Sequence, residues 1–251
     1  MRDFSLEKYA ELCQAINKNG YRAVSYSEYL ANKNAENIIV LRHDIDRMPL
    51  NALAMAKVEN KHGIKSTYYF RIPGTFKPEI IKEIANLGHE IGYHYESMDQ
   101  ANGDHKKAIE NFKQNLAKLR KIYPVETVCM HGNPLTKYDN RDLWRHYDFK
   151  DCGIKGESYL SMGPDVAYFS DTGRTWSNKF KGKDHPIHAD GRFDHIFPET
   201  TDDVIKLIND KKIDKFCLTV HSERWSATYL GWFGYYGLDL IVQMAKTLLR
   251  V

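Results

Sequence analysis

Short apolar runs that alternate with amphipathic helical stretches limit this chain to a parallel sheet covered by helices. The run Asn37-Ile38-Ile39-Val40-Leu41 is short, continuous and rich in β-branched residues, and its length favours a buried strand over a helix. A helix capped by Ser5 and carrying Tyr9, Leu12 and Ile16 precedes it and ends at Asn19-Gly20. Pro49 opens the next helix, which stops at His62-Gly63, and residues 66–72 read as a second strand. Pro78 opens a helix ended by Gly88, Glu90 to Tyr95 is strand three, a long helix follows over 106–123, and Thr127 to Met130 is strand four. The stretch 136–192 is less regular, with a short strand over 166–170. Strands are expected again at 193–197 and 215–220, with helices at 202–211 and 237–250.

These units imply one α/β domain over residues 1–251, with an N-terminal helical extension at 1–35 and the core from about residue 36. Periodicity alone does not separate an open doubly wound sheet from a closed barrel. The polar motifs do favour a barrel, because His or Asp follows strands one, three, four and the last, and in a barrel those ends meet on one face.

Composition removes several alternatives. With 42% hydrophobic and 27% charged residues the chain is an ordinary globular one. A net charge of +3 without a basic cluster gives no reason to expect nucleic acid as a partner. No stretch approaches the ~20 apolar residues of a membrane span, and the first residues have no apolar signal region, so a cytoplasmic location is expected. Cys13, Cys129, Cys152 and Cys217 form no C-x-x-C pair and read as reduced, structural thiols.

Chemistry concentrates in five places. Asp44 and Asp46 stand two apart after the first strand, on one side of the chain. Two carboxylates so close favour a shared proton or a cation, although a solvated pair at a strand end has the same spacing. His94 and Glu96 repeat that spacing after strand three, and imidazole with carboxylate suits zinc, iron or manganese. His89 lies at a helix-to-strand turn and reads as a cap on backbone carbonyls. His131 leaves strand four into Gly132-Asn133-Pro134; Asp171, Arg174 and Trp176 share a later loop; and His221 ends the last strand before Ser222-Glu223-Arg224-Trp225. His185 and His188 read as surface residues.

From Ile38 to His221 the chain resembles the polysaccharide deacetylases, the carbohydrate esterases of family four, with Gly88-His89-Glu90-Ile91-Gly92-Tyr93-His94 as the most specific segment. The resemblance implies a distorted (β/α)7 barrel and a divalent metal, zinc first and iron, cobalt or nickel as alternatives. It further implies Asp44 as catalytic base, Asp46 and His94 as metal ligands, His221 as general acid, and Asp171 with Trp176 as the loop that orients and shields that acid. The expected activity is removal of an acetyl or similar acyl group from an amino sugar, nucleotide sugar or lipid-linked intermediate of surface-polysaccharide synthesis. Tyr95, Arg174, Trp176 and Trp225 are the candidate substrate contacts.

Two positions depart from the family pattern. Met98 stands where a second metal-binding His is expected, so Glu96 or His131 must replace it. The family's Arg that orients the base is also missing, and Arg42, Arg174 or His43 must serve instead. Relatives with the D-x-D spacing also suggest a cyclic amide or ureide hydrolase, and the two departures suggest a catalytically silent, saccharide-binding barrel.

Overall fold

The computed structural model describes residues 2–133, 135–177, 186, 191–228, 231–234 and 237. Helix α1 (Leu6–Lys18) is capped by the Ser5 side chain and is followed by strand β1 (Arg22–Val24) and helix α2 (Tyr26–Ala31). Strand β2 (Ile38–Ile45), helix α3 (Pro49–Lys61), strand β3 (Thr67–Phe70), helix α4 (Pro78–Asn86) and strand β4 (Glu90–Tyr95) come next. A single turn, α5 (Ser97–Gln100), leads into α6 (His105–Arg120), then β5 (Thr127–Met130), β6 (Gly156–Glu157), β7 (Ala167–Ser170), α7 (Thr201–Asp210) and β8 (Lys215–His221).

Every pairing is parallel, in the order β6-β5-β4-β3-β2-β8-β7, which makes a curled, seven-stranded α/β sheet of the TIM-like kind with helices between its strands. Strand β1 adds to β2 beside the first half of its edge, with Arg22 opposite Ile38, and β3 takes the second half, with Arg42 opposite Thr67. The N-terminal extension is therefore not purely helical, since it contributes a strand. All residues of β2, β4 and β8 are buried, as expected where a parallel sheet is covered on both faces.

Gly92 of the segment that carries the resemblance has a packing reason. A Cβ there would lie 2.2 Å from the Tyr69 ring and 3.1 Å from the Thr127 carbonyl, so only glycine lets β3 and β4 fill the interior in this way. Gly88 ends α4 with φ of +91°, the left-handed conformation that favours glycine after a helix.

Two expectations need correction. Residues 193–197 are not a strand but turns, in which the amides of Asp194 and Ile196 donate to the carbonyls of Gly191 and Phe193. Strand one does not stop at Leu41 but continues through Arg42, His43 and Asp44, because each of these polar side chains has a buried partner. The helix expected at 237–250 lies, apart from residue 237, outside the described residues, as do His185 and His188. Among the described residues no helix is long and apolar enough to cross a membrane.

Candidate functional site

Because all strands run the same way, their C-terminal ends form one rim, and Asp44, Asp46, His94, Glu96, His131, Asp171 and His221 lie along it. Asp44 is inside β2 opposite His221 at the end of β8, Asp46 follows β2, and His94 stands in β4 opposite Cys129 of β5. Glu96, His131 and Asp171 follow β4, β5 and β7.

Asp44 is 2% exposed. Its Oδ2 accepts from Arg42 Nη2 at 3.1 Å and from the Cys129 thiol at 3.7 Å, while its Oδ1 is buried with no hydrogen-bond partner. Arg42 is fully buried, donates from Nε to Thr219 Oγ1 at 2.8 Å, and lays its guanidinium 4.4 Å from the Tyr159 ring. Of the three residues considered for holding Asp44, Arg42 makes the contact. His43 points away, with Nε2 2.6 Å from Glu59 Oε1, and the Arg174 guanidinium lies 5.8 Å from the Phe4 ring and 5.7 Å from the Trp232 ring.

Beside Asp44, two imidazoles approach one carboxylate. His94 Nε2 lies 3.1 Å from Asp46 Oδ1, and His131 Nε2 lies 3.5 Å from the same oxygen. His94 Nδ1 is 3.0 Å from the Cys129 carbonyl, a contact that places the ring proton on Nδ1 and leaves the Nε2 lone pair towards Asp46. Burial opposes ionisation of Asp46, but His131 and His94 outweigh it and hold the carboxyl well below its usual range. Lone pairs of nitrogen and oxygen that face one another need a proton or a cation between them, and these donor types suit a divalent ion.

Glu96 stands behind that set. Its Oε2 accepts from Arg71 Nη2 at 2.7 Å and lies 3.4 Å from His131 Nδ1, and its Oε1 accepts from Gln100 at 3.0 Å. Burial acts against its charge, yet His131 and Arg71 bring its pKa down to about 2. Glu96 thus stands at ion-pair distance behind His131, without a hydrogen bond to Nδ1, while His131 Nε2 faces Asp46. Met98 is buried in α5 and packs in the hydrophobic core.

Across the rim, His221 Nδ1 lies 2.6 Å from Asp171 Oδ1. Burial and the nearby Arg224 lower the imidazole pKa, but Asp171 outweighs both and raises it to about 9. Asp171 is fully buried, and although burial raises its pKa, Arg224 and His221 bring it to about 2. Its other contacts are the His221 amide at 3.0 Å, Arg224 Nη1 at 2.7 Å and Trp225 Nε1 at 2.8 Å.

The expected sugar-stacking rings are elsewhere. Tyr95, Trp176 and Trp225 are fully buried and present no face to a ligand. Tyr95 accepts from Trp144 Nε1 at 2.8 Å, Trp176 donates to Thr201 at 3.0 Å, and Trp225 holds Asp171. Arg174 adopts φ of +57° and keeps its guanidinium on aromatic rings. Aromatic type alone suggested these contacts, whereas packing decides them.

Three residues around the site, Cys129, Arg71 and Arg224, carry no signal of their own in the sequence. Residue type alone places Cys129 in the core, although its position one strand over from His94 follows from pairing β4 with β5. Arg71 and Arg224 lie just past strand ends, a positional signal that is readable once the strands are placed.

No family model matches the sequence, and no curated protein does. Among solved structures, a family 4 carbohydrate esterase from Bacillus anthracis is similar, with a TM-score of 0.39 and 12% identity over 92% of this chain and 84% of that one. Likeness at this level carries no argument about activity, which rests on the rim residues themselves.

Proposed function

We propose that this chain is a metal-dependent hydrolase that removes an acetyl or similar acyl group from the nitrogen of an amino sugar or a sugar intermediate. One observation carries the reading: a two-His, one-carboxylate donor set, a buried carboxylate with an unused oxygen, and a carboxylate-bound imidazole share one rim. Asp46, His94 and His131 would hold the ion, which when bound polarises the acyl carbonyl and acidifies a water molecule. Zinc suits imidazole and carboxylate donors, with iron, cobalt or nickel as alternatives.

The remaining work falls to side chains. Asp44, held by Arg42 through Oδ2, takes the proton of the attacking water on Oδ1. His221 carries its proton at neutral pH because Asp171 supports the imidazolium, and it delivers that proton to the amine nitrogen as the carbon–nitrogen bond breaks. Buried Asp171 and Trp225 keep the ring in place.

Zinc-, cobalt- and iron-loaded protein offered N-acetylated amino sugars, their nucleotide-linked forms and allantoin tests the reading. Release of acetate with a free amine is expected, and ring opening of allantoin instead would move the activity to the cyclic-amide class. Absence of cleavage of any of these amides by every metal form would overturn it. Since the proposed acid must be protonated, the rate should hold as pH rises and fall through about 9, where His221 deprotonates. In Asp171→Asn that limb should move to lower pH, and a pH–rate profile identical to that of the unaltered chain would remove His221 from the acid role.

A further inference from the structure

Among the described residues one compact group of metal-ligating side chains is left unused by the hydrolase reading as a set. Asp44, His94 and Cys129 each offer a ligand atom within 4.8 Å of the other two, and all three are buried. The group is more than a cysteine near an acid, because Asp44 Oδ1 is buried without a hydrogen-bond partner. The thiol already points at the carboxylate, 3.7 Å from Oδ2.

We propose that Asp44, His94 and Cys129 form a second cation position, selective for a thiophilic divalent ion, that competes with the Asp46–His94–His131 position for His94. A thiolate, an imidazole and a carboxylate make a softer donor set than two imidazoles and a carboxylate, so cadmium is favoured here. On binding, the S–H bond of Cys129 breaks, its proton leaves to solvent, and the sulfur electron pair forms the bond to the ion. The His94 Nε2 lone pair serves either position but not both, since Nδ1 is committed to the Cys129 carbonyl. Filling this position also ties up Asp44 and so inhibits hydrolysis; that consequence rests on the hydrolase reading, whereas the binding does not.

Titration of the full chain with cadmium tests the inference through the ultraviolet absorption of a thiolate–cadmium bond. The band should saturate at ~1 equivalent, as for a single closed site. It should persist in Asp46→Ala and in Cys217→Ser, and it should be lost in Cys129→Ser, whose near-ultraviolet circular dichroism should match that of the unaltered chain. A band retained in Cys129→Ser, no band in the unaltered chain, or loss of the band in Asp46→Ala would overturn the separate position. Failure of the hydrolase reading would show independently, as absent amide cleavage with the cadmium band intact.

Discussion

Asp44→Asn is expected to slow amide cleavage by about 10²- to 10⁴-fold, the range that a positioned general base contributes. Asparagine keeps the volume and an acceptor for Arg42 Nη2, so the geometry on that side survives while the proton-accepting oxygen is lost. Zinc content should be unchanged, because Asp46, His94 and His131 are the proposed ligands. Steady-state rates and metal analysis on the same sample separate the two roles. An undiminished rate would remove Asp44 as the base, and lost zinc would make it a ligand. Arg42→Met should mimic much of the loss by leaving Asp44 buried without its cation.

Glu59→Ala should lower stability by about 3–5 kcal/mol, the cost of removing one partner from a buried ionic group. Glu59 is fully buried on α3 behind β2 and accepts from Ser66 Oγ at 2.6 Å and Tyr68 OH at 2.8 Å. It also accepts from Tyr9 OH and lies 2.6 Å from His43 Nε2. Removing it strands donors from α1, β2 and β3 together. Burial works against its charge, but His43 and the other donors bring its pKa to about 2. A folded-state pKa below the usual value of 4.5 means that its contribution is present above about that pH and is lost as pH falls towards about 2. Denaturant unfolding at neutral and acidic pH checks both points: the two proteins should differ most near neutrality and converge in acid. Equal unfolding midpoints at neutral pH would show that the network contributes no net stability.

Glu59 also shows what the sequence could not reveal. The apolar part of β2, Ile38 to Leu41, was legible because continuous β-branched runs have few other uses. Arg42, His43 and Asp44 looked like the start of a loop, since their partners Thr219, Glu59 and Cys129 are separated from them in sequence and only tertiary pairing brings them close. The short strands β1 and β6 give too little periodicity to detect, whereas residues 193–197 have a strand's composition but no strand to pair with among the described residues. For the site, parallel strand ends were enough to gather Asp44, Asp46, His94, His131 and His221 on one rim. The register that sets His94 opposite Cys129 and Asp44 opposite His221 decides which groups touch, and no local pattern encodes it. The buried places of Tyr95, Trp176 and Trp225 were hidden for the same reason.

Zinc stoichiometry after loading and desalting tests the proposed centre most directly. The unaltered chain should retain ~1 equivalent, as expected of a mononuclear site, and Asp46→Ala and His131→Ala should retain almost none. Glu96→Gln should bind it about 10- to 100-fold more weakly, as expected for loss of an outer carboxylate. Full zinc occupancy in both Asp46→Ala and His131→Ala, or no zinc in the unaltered chain, would contradict a centre built on these residues.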